Sequence, residues 1–139
     1  MTRQFVRTVL IAGLTALGSL TLTAQDRSAT AKIPFAFRSN HKSMPAGDYR
    51  IDRLSEGGLF RLADYDAATA EFVPAPVLVD AKNHDEGRLT FACYQGQCVL
   101  SQIAMPGSSV AYKRSQSAVD NDLQRKLGMA TMVNIRLAH

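Results

Sequence analysis

Apolar and polar residues alternate along this chain in short runs separated by glycine, proline and polar turns, a period-two pattern that predicts strands. The clearest run is Arg88–Ala104 (RLTFACYQGQCVLSQIA). Gln95-Gly96 suits a two-residue hairpin loop, with Gly96 supplying the positive φ such a loop needs. Pairing Tyr94 with Gln97 then sets Cys93 opposite Cys98, Phe91 opposite Leu100 and Leu89 opposite Gln102. Leu89, Phe91, Cys93, Cys98 and Leu100 share one face. Arg88, Thr90, Ala92, Tyr94, Gln97, Val99, Ser101 and Ile103 fall on the other, which is mixed. The cysteines take a non-hydrogen-bonded position in this register, where facing side chains lie closest.

The same pattern recurs on both sides of this hairpin. Residues 25–30 are polar and read as a loose terminus. Ala31–Phe37 (AKIPFAF) places Ile33, Phe35 and Phe37 on one face, with Pro34 confining the strand to a sheet edge or a kinked start. After the polar loop Ser39–Ser43, the turn Met44-Pro45-Ala46-Gly47-Asp48 feeds a strand Asp48–Leu54. The chain reverses near Glu56-Gly57 into Leu59–Asp64. With Ser55 opposite Gly58, Ile51 faces Leu62 and Asp52 faces Arg61. Tyr65–Glu71 reads as a linker, and Pro74 and Pro76 keep Phe72–Pro76 out of any central strand. Val77–Ala81 is a strand ending in the polar loop Lys82–Gly87. Met105-Pro106-Gly107 fits a type II turn, after which Ser109–Arg114 pairs back on Val99–Ala104. One helix is predicted: Ser117 caps, Asp120 follows three residues later, Val119, Leu123 and Leu127 recur at four-residue spacing, and Gly128 ends it. Met129–Leu137 alternates again and is expected to pair with an early strand. About eight short strands with regular turns predict an all-β, mainly antiparallel fold, a β-sandwich or small barrel with one short C-terminal helix.

The N-terminus adds a compartment. Arg3 and Arg7 precede the apolar run Val9–Leu22, which is followed by Thr23 and the small residue Ala24. This is the layout of a cleaved secretory signal peptide over residues 1–24, leaving 25–139 as a single β-rich domain. The apolar run is shorter than the roughly 20 residues of a membrane span, so no span is expected after cleavage. Export, to the periplasm or beyond, favours a structural disulfide between Cys93 and Cys98, the only cysteines in the chain. Free thiols and a redox or metal pair are the alternatives. The spacing is not that of a thioredoxin motif, and no histidine follows Cys98 as haem attachment requires. Two of the net +4 charges sit on Arg3 and Arg7, and the pairs Lys113-Arg114 and Arg125-Lys126 are isolated. Nucleic acid is therefore not an expected partner, and the two basic pairs read as solvated surface.

Candidate chemistry is sparse. His41 lies near Ser43 and Asp48, but no nucleophile-elbow motif accompanies them. Asp80, Asn83, His84, Asp85 and Glu86 form the densest cluster of oxygen and nitrogen ligands, yet without the ligand order or glycine of a calcium loop. Glu56, Glu71 and Glu86 show no paired-carboxylate spacing, and Gly57-Gly58 is no phosphate loop. The aromatic residues fall mostly on strand faces and read as core, although a barrel lumen uses the same pattern. No catalytic, cofactor or metal residue is assigned, and the chain is expected not to be an enzyme.

IPFAF (33–37), MPAGDYRI (44–51), RLTFACY (88–94) and CVLSQI (98–103) occur in an order that resembles a group of small exported proteins abundant in acidobacterial genomes. The resemblance covers most of residues 25–139 and brings with it no catalytic or binding residue. The cysteines are not a fixed part of that pattern. PAGDYRI alone is similar to the strand starts of surface immunoglobulin-like and prealbumin-like modules, which implies a sandwich. Two functions follow as expectations. The first is a non-catalytic exported β-sandwich of the envelope, periplasm or surface, acting by binding or structural contacts with envelope proteins. The alternative is a small barrel carrying an apolar ligand.

Overall fold

Pro34 divides the first apolar run between two sheets. In the computed structural model, which describes residues 28–40, 42–66, 69–81, 86–116 and 118–138, strand β1 (Ser28–Ile33) ends just before this proline, and β2 (Phe37–Arg38) begins after it. Ala31–Phe37 is thus not one strand. β1 starts at Ser28, inside the segment expected to be loose, because it pairs along its length with β4 (Gly47–Arg53). β2 instead pairs with β3 (Ser43–Met44) and runs parallel to β9 (Gln97–Ala104). Ile33 and Phe37 are both buried and Phe35 packs against them, so the expected common face survives the break.

The smaller sheet has the order β1-β4-β5-β6, with β5 at Leu59–Asp64 and β6 at Ala70–Pro74. Ile51 faces Leu62 and Asp52 faces Arg61, as the spacing predicts. Asp52 also accepts from Ser28 and, at 2.9 Å, from Arg50 Nε. β6 claims the end of the predicted linker and lies at the sheet edge, where Pro74 needs no ladder donor on its open side. The larger, seven-stranded sheet has the order β11-β8-β9-β10-β7, from β7 (Val77–Asp80), β8 (Arg88–Tyr94), β9, β10 (Val110–Lys113) and β11 (Thr131–Arg136), with β2 and β3 joined to it through β9. β11 pairs with β8 over its whole length, and its extension meets an early strand only at the Thr30–Ala138 bridge.

β8 and β9 form the predicted hairpin, with φ of 46° at Gln95 and 85° at Gly96. Cys93 and Cys98 are joined by a disulfide, their Cα atoms 4.0 Å apart. The expected register holds from Tyr94–Gln97 to Phe91–Leu100 and then breaks. A bulge between Thr90 and Phe91 pairs Leu89 with Ile103 instead of Gln102. The extra residue reverses the phase of β9. Ile103, assigned to the mixed face by strict alternation, therefore joins Leu89, Phe91 and Leu100 in the core.

The two sheets pack face to face as a β-sandwich and do not close into a barrel. Between them lie Tyr49, Phe60, Phe91, Phe37, Ile51, Leu62 and Leu89, all 0–2% exposed. The rings interlock edge to face: Phe37 meets Tyr49 at 5.4 Å and Phe91 at 5.2 Å, and Phe60 meets Tyr112 at 5.2 Å. Of the aromatics, Phe37, Tyr49, Phe60, Phe91 and Tyr112 lie in the core and Phe35 packs against it, whereas Tyr65 and Phe72 are exposed.

Candidate functional site

The outer face of the larger sheet is where polar groups and a concavity coincide. Helix α1 (Ala118–Leu127) lies over this face rather than in the core. Its charges follow the helix dipole, with Asp120 in the first turn and Arg125 and Lys126 in the last. Gly128 N–H closes the helix on Gln124 O at 3.0 Å, and Gln95 Nε2 donates to Leu127 O at 3.3 Å. Leu123 and Leu127 are only half-buried. Among the described side chains of α1, Asp120 is the buried one, and it holds the helix to the sheet through Arg114.

Arg114 follows β10 and donates from Nε to Leu100 O at 2.8 Å. Its Nη2 donates to both Asp120 oxygens, at 2.9 and 2.8 Å. Their side chains are 7% and 9% exposed. Arg114 was expected on the solvated surface, and burial beneath the helix corrects that reading. An ion pair buried to this degree gains little net stability from its attraction, but loss of either partner strands the other charge. The pair therefore sets where α1 sits.

Beside this clamp is a cleft of about 270 Å³. Met132, Ala92 and Val99 stand in register across β11, β8 and β9 and form an apolar floor. Tyr94, Ser101, Lys113 and Arg114 add polar groups from the sheet side, and Asp120 and Gln124 add them from the helix. Gln116 Nε2 donates to Gln124 Oε1 at 3.4 Å across the rim. The hydroxyls of Tyr94 and Ser101, the Lys113 ammonium and Arg114 Nη1 have no hydrogen-bond partner among the described residues. A second hollow of about 240 Å³ lies at the hairpin tip, lined by residues that include Phe37, Arg38, Gly96 and Cys98. Arg38 Nε is buried there without a hydrogen-bond partner among the described residues.

The residues weighed for chemistry in the sequence do not converge on this cleft. Cys93 and Cys98 face the opposite side of the hairpin, against the core. Ser43 and Asp48 are exposed on β3 and β4, and His41 lies outside the described residues. Of the acidic loop, Asp80 ends β7 and Glu86 pairs with Arg136 at 3.1 Å, while Asn83, His84 and Asp85 lie outside the described residues. Among the described residues, no group of three or more His, Cys, Asp or Glu side chains gathers as a metal site. Glu56 sits 3.5 Å from Arg53, and Glu71 lies on β6, so the glutamates stay on separate elements.

Arg114 and Asp120 were missed as site residues for a physical reason. Read locally, Asp120 is a first-turn acid and Arg114 a strand-end base, both common surface roles. The only signal was their opposite charge six residues apart across a helix start. Compared with protein-family models, curated proteins and solved structures, the chain matches none.

Proposed function

We propose that this protein is an exported, non-catalytic β-sandwich of the envelope, periplasm or surface that acts by binding or structural contacts, with the cleft under α1 as its contact site. The observation that carries this reading is the division between interior and cleft. The interior is filled with interlocked aromatic and aliphatic side chains, whereas donors without partners among the described residues gather on the outer face. A filled interior supports contact at the surface over inward carriage of an apolar ligand. The Cys93–Cys98 bond and the charged, then apolar N-terminus support export. Among the described residues, no helix is long and apolar enough to cross a membrane. The motif order shared with the exported acidobacterial group belongs to the same proposal.

Expression of the full chain in a Gram-negative host, followed by fractionation and intact mass, tests this reading. The expected product begins at Gln25, leaves the cytoplasm and is lighter by the hydrogens that a disulfide removes. Cytoplasmic retention at full length with free thiols overturns export. A hydrolase or transferase activity abolished by a single substitution overturns the non-catalytic role.

A further inference from the structure

We infer that the cleft between α1 and the larger sheet binds a small organic carboxylate, which seats its anionic end on Arg114 and Lys113 and its short apolar body on Ala92, Val99 and Met132. This rests on reading the protein as a binding module and names what the cleft takes.

The first argument is unspent donor capacity at a buried cation. Arg114 is 8% exposed, and its Nε and Nη2 are occupied by Leu100 O and Asp120. Nη1 has no partner among the described residues, yet Arg114 lines the cleft. Nη1 is not among the fully buried atoms and so opens onto the cleft, where an anionic acceptor is favoured because charge-assisted hydrogen bonds are the strong ones. The second argument is charge balance. Arg114 and Lys113 face one carboxylate, that of Asp120, within the cleft lining, leaving a single positive charge. A monoanion neutralises that excess, and a phosphate dianion exceeds it. The third argument is shape. About 270 Å³ lies below the usual range for drug-sized ligands, so the ligand has the size of an amino acid or a short aliphatic or aromatic acid. The apolar floor distinguishes it from an inorganic anion. Tyr94 and Ser101 hydroxyls, without partners among the described residues, complete the donor set.

The test is an amide-detected NMR titration of the oxidised, exported chain with benzoate, butyrate, benzamide and inorganic phosphate. The expected result is saturable shifts with the two carboxylates, confined to residues around 92–101 and 113–124. Benzamide should bind at least about tenfold more weakly, the loss expected from removing one charge-assisted contact. Phosphate should also bind more weakly, because it has no apolar body for the floor and its dianion exceeds the single positive charge. Lys113→Gln and Tyr94→Phe should each weaken benzoate binding while leaving the melting temperature unchanged. Ala92→Met should fill the floor and abolish binding in a folded chain. The inference is overturned if benzamide matches benzoate, if phosphate binds as well as benzoate, or if no shift saturates in the millimolar range. It is also overturned if Ala92→Met leaves the titration unaltered. A silent cleft in an exported, oxidised chain overturns the ligand alone. Carboxylate binding by a chain retained in the cytoplasm supports the ligand and overturns export instead.

Discussion

Gly58 shows how much a single position carries. Its φ is +90°, and a Cβ there would lie 2.2 Å from the Ala75 carbonyl oxygen and 2.9 Å from Tyr112 Cδ1. The close approach is used, since Ala75 N–H donates to Gly58 O at 2.7 Å and ties the β6–β7 link to the β4–β5 turn. Gly58→Ala therefore meets both a backbone penalty and a collision. It should lower stability by about 2 kcal/mol or more in urea unfolding. Tyr49 carries a pH signature. Its fully buried hydroxyl donates to Pro45 O, and burial, followed by the nearby Asp64 carboxylate, raises its pKa from 10.0 to about 12. The unfolded chain releases this proton first, so the stability due to the neutral phenol is full below pH 10 and is lost as pH rises toward 12. Tyr49→Phe should cost about 1 kcal/mol at neutral pH for the lost hydrogen bond. It should also flatten the fall in melting temperature over that alkaline window. An unchanged alkaline slope would remove Tyr49 as its source.

At the scale of elements, the hairpin β8–β9 and helix α1 are fastened by different chemistry. The cysteines close a short loop, with a sequence separation of 5. A crosslink over so short a loop restricts the unfolded chain by only about 2 kcal/mol. Cys93→Ala with Cys98→Ala should therefore lower the melting temperature and leave a folded sandwich, because β8 and β9 still pair along seven positions. Unfolding of that variant would show the bond to be essential. The helix depends on the buried pair. Arg114→Met leaves Asp120 as a buried charge and should cost about 3–5 kcal/mol, read as loss of α1 in circular dichroism. Arg114→Met with Asp120→Leu should recover most of that cost, since the penalty lies in the stranded charge. The hairpin was legible because its turn residues, alternation and cysteine spacing all act within one local stretch. The bulge was not, because Ser101 as an extra residue is selected by what lies across the sandwich. Only there does Ile103 gain from facing inward.

At the scale of the molecule, Phe91 is the junction of the core. Its ring meets Phe35 at 5.1 Å and Phe37 at 5.2 Å, linking the central hairpin to the chain that crosses between sheets. Phe91→Ala should cost about 3–5 kcal/mol, measured by denaturant unfolding, and should lower cooperativity between the sheets. By itself the sequence determined the strand-rich class, the hairpin registers around Gln95-Gly96 and Ser55–Gly58, the facing positions of Cys93 and Cys98 and the exclusion of Phe72–Pro76 from a central strand. Each depends on contacts between residues close in the chain, where side-chain alternation and turn geometry leave few choices. Tertiary structure alone decided that Pro34 hands the chain from one sheet to the other and that β11 lies beside β8. It also decided that the two sheets stay open as a sandwich and that Arg114 is buried against Asp120. These outcomes depend on which faces must be covered once the sheets meet. Apolar area and unpaired charge far apart in sequence settle that together, and local pattern carries no record of it.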